Sequence, residues 1–127
     1  DMAIKLAKTR NNTQVLLTSM SSLAEAYYQK GELETAEKYA KEAYKLAKET
    51  GNPTTLDILD TRGKINIEQN NKEKPIKIFE NVINLLDVYS INTTTAITYL
   101  DNAKKCAEIF DNKEFLEKIE EKKKKIL

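Results

Sequence analysis

The chain has no histidine and no tryptophan, one cysteine, two prolines and three glycines among its 127 residues. Without histidine, the commonest general base and the commonest metal ligand are missing. The lone thiol, Cys106, can form no internal disulfide, which fits a reducing compartment. With no partner to lower its pKa, it reads as a small hydrophobe packed between Ala103 and Phe110. There is no glycine-rich phosphate loop, and acidic pairs such as Glu120 and Glu121 do not converge. The protein is therefore expected to be no enzyme and to hold no metal or cofactor.

An excess of one charge is also lacking. The 21 basic and 20 acidic side chains leave a net charge of +1, so nothing global steers the chain to nucleic acid or to an anionic membrane. Four consecutive lysines in "EEKKKKIL" spread around a helix rather than forming a stripe, and lysine suits a helix C-terminus. They read as a polar end cap, with Ile126 as the last core contact. No apolar run of about 18 residues occurs, nor a charged stretch followed by an apolar one at the start, so neither a membrane span nor a signal peptide is expected. The expected compartment is the cytoplasm. Glu34 with Lys38, and Glu37 with Lys41, stand at the spacing of a solvated helix face.

What is present is a period of forty. "KLAKTRNN" at 5–12 returns as "KLAKETGN" at 45–52, and Asn12, Asn52 and Asn92 fall one period apart, followed by Thr13, Pro53 and Thr93. A short polar side chain before a helix accepts a hydrogen bond from its first free amides, and Pro53 suits a first helical position. Gly31, Asn71 and Asp111 form a second series of residues that tolerate the left-handed turn ending a helix. Each period thus holds two helices, the first of about 17 residues and the second running to the next cap.

Apolar residues keep the same ruler: Leu6, Leu46, Leu86 and Ile126; Ala36, Ile76 and Leu116; Tyr39, Phe79 and Ile119. In the second repeat a step of thirty-nine is physically better, because it sets Gly63 opposite the small Ala24 and lets two helices approach closely. An extra residue is accordingly expected near Asn70 and Asn71.

These residues resemble the tetratricopeptide pattern. In "LAEAYYQKGELETAEKYAKEAYKL", Leu23 and Ala24 match its large-then-small pair, Tyr27 its aromatic, Gly31 its turn, and Ala36, Ala40 and Ala43 its second helix. Gly63, Asn70 or Asn71, Phe79 and Ile83 carry the second repeat, with Asn66 where an aromatic is usual and Pro75 or Ile76 where alanine is usual. Ala103, Ala107, Leu116 and Ile119 carry the third. The resemblance implies an all-α fold, a right-handed superhelical solenoid of antiparallel helix pairs with about seven helices, as one domain. Its parts are the end of a truncated repeat at 1–12 and repeats at 13–51, 52–91 and 92–127. Asp1 aligns with Lys41 in mid-helix, so the chain is expected to be the C-terminal part of a longer array. Ala3, Ile4 and Leu6 would then have lost the neighbour that covered them, leaving this end either frayed or covered by a second copy in a homodimer through the repeat ends.

Repeats of this length look like those of bacterial regulators, notably the peptide-pheromone receptors of low-GC Gram-positive bacteria (the Rap and PlcR type); kinesin light chain has repeats of similar length. The resemblance implies a concave groove lined by the first helix of each pair, binding an extended peptide or a partner segment. The function so implied is ligand sensing of the quorum-sensing kind in transcription regulation, against the alternative of a passive protein–protein scaffold. Transferred positions are Thr18, Ser21, Glu25, Tyr28 and Gln29; then Asp57, Thr61, Lys64, Ile65, Glu68 and Gln69 with Asn66 beside them; then Asp101, Lys105 and Glu108. Asn66 is singled out as a ligand contact because an amide can pair both groups of a peptide backbone. The wall is polar and somewhat acidic and lacks the converging donors of a carboxylate clamp, so any ligand is expected to be neutral or basic.

Overall fold

The computed structural model describes residues 13–127. Among them are six helices and no strand: α1 (Thr13–Gln29), α2 (Leu33–Thr50), α3 (Thr54–Glu68), α4 (Glu73–Leu85), α5 (Thr93–Ile109) and α6 (Lys113–Ile126). The all-α reading thus holds for these residues. The seventh helix expected at 1–12, with the cap at Asn12 and the apolar Ala3, Ile4 and Leu6, lies outside the described residues.

Asparagine starts the last four helices, whereas α2 follows Glu32, which makes no side-chain cap. Asn92 Oδ1 accepts from Thr95 N–H at 2.8 Å and Asn52 Oδ1 from Thr54 N–H at 2.9 Å, as the cap series requires. Asn112 and Asn71 do the same for Phe115 N–H at 2.9 Å and Lys74 N–H at 3.1 Å. Left-handed residues end the first helix of each pair, Gly31, Asn70 and Asp111 with φ of 80°, 60° and 49°, and Gly51, with φ of 64°, ends α2. Asn71 is therefore not the turn residue but the cap that follows it. The step from Gly31 is thirty-nine, and the step onward to Asp111 is forty-one. At each of these ends the next amide reaches back five residues, Glu32 to Tyr27 O, Asn71 to Asn66 O and Asn112 to Ala107 O at 2.9, 3.2 and 2.8 Å, closing the turn. Helix α4 stops at Leu85, short of the cap to which it was expected to run. Beyond it come Val88, Tyr89 and Ile91, branched or aromatic residues of low helix propensity, and Tyr89 and Ile91 pack on the core as an irregular connection.

Each helix packs on the next. In addition α1 lies against α3, α3 against α5 and α4 against α6, and no helices further apart along the described chain meet. Helix α2 contributes Ala36, Ala40, Ala43 and Ala47, all essentially inaccessible, so α1 and α3 come close to its backbone, closing around Leu17, Met20, Ala24, Ile58 and Ile65. The larger core runs from Leu56 and Leu59 through Phe79, Val82 and Ile83 to Leu100, Phe115 and Ile119, with Leu116 and Ile126 packed at its edge. Cys106 belongs to it, with Ala103 and Phe110.

Glu37 departs from the reading as a solvated partner of Lys41. It is buried, and its Oε1 accepts from Arg62 Nε and Nη2 at 3.2 and 3.1 Å, while Lys74 Nζ stands 3.7 Å away. Arg62 also lies over the Tyr44 ring, 5.4 Å from its centroid.

The closest approach is at Gly63. A Cβ added there would stand 2.5 Å from Cε2 and Cζ of Phe79, a ring with no exposed surface. Gly63→Ala is expected to lower stability by about 1–2 kcal/mol in urea unfolding, overpacking outweighing a helix-propensity gain of about 1 kcal/mol. With Phe79→Leu already in place, the same change should cost less than it does alone; an additive double-mutant cycle would refute the contact.

Candidate functional site

The first helices of the three pairs, α1, α3 and α5, meet in order, so their outward residues share one face. Two clefts open on it. One, of about 320 Å³, is bounded by Ser21, Ser22 and Glu25 of α1 and by Asp57, Asp60, Thr61 and Lys64 of α3. The other, of about 290 Å³, takes Tyr28 from α1, Lys64, Ile67 and Glu68 from α3, Asn102, Lys105 and Ile109 from α5, and Phe79 beneath. Lys64 borders both, so the clefts adjoin.

Polar ties across this face bind the helices to one another. Thr61 Oγ1 donates to Glu25 Oε2 at 3.4 Å, joining α3 to α1. Asn102 Nδ2 donates to Asp60 Oδ1 and Oδ2 at 3.0 and 3.1 Å, joining α5 to α3. Lys64 Nζ sits 3.3 Å from Asp60 and is the cation set among Glu25, Asp57, Asp60 and Glu68. Burial raises the Asp60 carboxyl above its ordinary range, against the hydrogen bond from Asn102 and the charge of Lys64. Asp57 is exposed by area yet recessed in the trough, and burial there together with Glu25 raises it as well. Tyr99 is pushed up to about 12 by burial and then by Asp57 and Asp60, and Tyr28 is raised by burial and then by Glu68. Burial alone pushes Cys106 up to about 12, so its sulfur is held as the unreactive thiol. Among the described residues no group of three or more Cys, Asp or Glu is disposed to hold a metal ion, and no helix is long and apolar enough to cross a membrane.

Of the residues expected at the groove, Ser21, Glu25, Tyr28, Thr61, Glu68 and Lys105 line the two clefts, as do Asp57 and Lys64. Thr18, Gln29 and Gln69 are exposed but line neither cleft. Gln29 Nε2 instead donates to Glu25 Oε1 at 3.0 Å, holding that carboxylate. Ile65 is inaccessible and packs with Ala24, Ala36 and Ala40. Asp101 is turned to α6, where Lys123 Nζ donates to it at 2.8 Å. Asn66, expected to meet a ligand, is 1% exposed: its Nδ2 donates to Glu37 Oε2 at 3.1 Å and to Arg62 O at 2.7 Å, beneath the wall rather than on it. Ser22, Asp60, Ile67, Phe79, Asn102 and Ile109 were missed. Asn102 and Ile109 each follow by one residue the expected Asp101 and Glu108, and one residue turns a helical position by about 100°. The forty-one-residue step between Asn70 and Asp111 goes with that rotation, and no sequence signal marks it, because Asn70 and Asn71 are equally able to turn.

Two outcomes follow. Asn66→Ala should cost about 1–3 kcal/mol in urea unfolding, because it strips a buried carboxylate of a donor, and should leave any ligand affinity unchanged. For Asp60 the folded pKa is raised, so the fold binds the proton more tightly than the unfolded chain does. Its contribution is favourable at low pH and is lost as pH rises through the folded value. Asp60→Asn, which can still accept from Asn102, should therefore gain stability relative to the parent between pH 4 and pH 7; the opposite trend in paired unfolding curves would contradict the assignment.

Compared with protein-family models, with curated proteins and with solved structures, the chain gives no match.

Proposed function

We propose that the protein is a peptide- or partner-binding repeat module of the tetratricopeptide kind, its helix pairs wound into a right-handed superhelix whose concave wall is formed by α1, α3 and α5. The observation that carries this reading is the run of adjoining clefts across three successive first helices, with Lys64 shared between them. Recognition on such a wall needs several side chains from different repeats converging on one extended ligand. The trough sets Glu25, Asp57 and Asp60 against Lys64, which favours a neutral or basic ligand and disfavours a carboxylate.

The module serves as the ligand-sensing part of a bacterial regulator of the quorum-sensing type. The tie between Asp60 and Asn102 supports sensing over passive scaffolding: it lies within the binding face and also links α3 to α5, so an occupant of the face bears on how two pairs sit together.

The test is a random peptide library panned on this chain and on a variant with Glu25→Lys and Glu68→Lys. Neutral or basic peptides should be enriched on the parent and bind the variant about ten-fold more weakly, as expected of charged rim contacts, with unchanged helical circular dichroism. Equal binding to both proteins would overturn the groove assignment. In hydrogen exchange with an enriched peptide bound, protection spreading through α5 and α6 supports sensing, and protection confined to the lining residues supports a scaffold.

A further inference from the structure

Ile109 ends α5 with 60% of its surface exposed. The other exposed large apolar side chains among the described residues, Val15, Val88 and Leu127, border neither cleft of the binding face. Ile109 does, in a cleft whose lining it shares with Tyr28, Ile67 and Phe79 and with the polar Lys64, Glu68, Asn102 and Lys105. An isoleucine held open to solvent costs hydrophobic free energy that an apolar guest would recover. The volume of about 290 Å³ falls just below the roughly 300–1,000 Å³ of whole-ligand pockets, a size suited to one side chain rather than to an entire small molecule.

We infer that this cleft is the anchor subsite for one large apolar side chain of an extended peptide, whose lysine or arginine lies in the adjoining acidic trough. The inference rests on the peptide-binding reading above and specifies its ligand. Charge complementarity selects the occupant. The trough presents Glu25, Asp57 and Asp60 against a single cation, Lys64, so a guanidinium or ammonium group is the partner it fits. Lys64 is common to both clefts, so the apolar and the cationic side chain belong to neighbouring positions of one segment. Glu68 and Lys105, which line the same cleft, offer an acceptor and a donor to the peptide backbone between them.

The test uses labelled, end-capped nonapeptides on a Gly/Ser/Asn background, bearing one Leu and one Arg separated by zero to three residues, titrated by fluorescence polarisation against the whole chain. Peptides with both residues should bind tightest, and replacing the Leu by Ser should weaken binding about ten-fold or more, the worth of one buried aliphatic side chain. Ile109→Asn, and independently Ile109→Ala, should abolish the dependence on Leu and keep the dependence on Arg; Asp57→Asn should do the reverse. Peptides that bind with no dependence on Leu, or whose dependence survives both Ile109 variants, would overturn the anchor subsite while leaving the groove standing. Absence of binding by every nonapeptide, together with a library that enriches nothing on the parent, would remove the groove reading and this inference with it.

Discussion

Phe79 presses its ring against the backbone of α3 at the one position without a side chain, and the placing of everything around α3 depends on that approach. The ring is fully buried, which alone stabilises by about 1.5–3 kcal/mol, and a Cβ at Gly63 would occupy the space it fills. Once α3 is seated at this depth, its flanks have fixed destinations. Arg62 and Asn66 turn toward α2 and meet Glu37. Asp60 and Lys64 turn to the opposite side and form the centre of the acidic face.

The interior of the first two pairs joins small residues to a charged pair. Alanines along α2 permit close packing but offer little apolar area, and α3 is correspondingly rich in buried polar groups: Thr55, Asp60, Thr61 and Asn66. A buried ion pair of this kind offsets its desolvation only where every hydrogen-bonding group is satisfied, and here no buried side-chain nitrogen or oxygen among the described residues lacks a partner. The pair of Glu37 and Arg62 therefore contributes more to the register of α2 against α3 than to net stability. A sliding helix would leave a charge uncompensated.

Most of the fold was legible because its punctuation is chemical. Asn52 and Asn92 bond the first amides of their helices as short polar residues do, and Gly31 and Asp111 adopt the backbone that their side chains permit. Gly63 could be read through the thirty-nine-residue step because a missing side chain marks a close approach. The failures have one form. Asn70 and Asn71 are both able to turn or to cap, so composition could not separate them. Asn66 and Glu37 are polar residues whose burial depends on a partner twenty-five or more positions away, and no periodicity records that. On the face that carries the two clefts, about 100° of helical rotation per residue made one displaced position enough to exchange Asp101 for Asn102 and Glu108 for Ile109.

Contacts in this molecule never pass beyond the second helix along the described chain. Its topology is therefore of low contact order, the class in which folding is fast because little loop entropy is lost before contacts form. Order can start in any hairpin and spread to either side, and it can recede the same way. Helix α6, which packs on α4 and α5 and pairs Lys122 with Asp87 between them, can open while α1 and α2 stay closed, so stability is graded along the chain rather than shared equally by it.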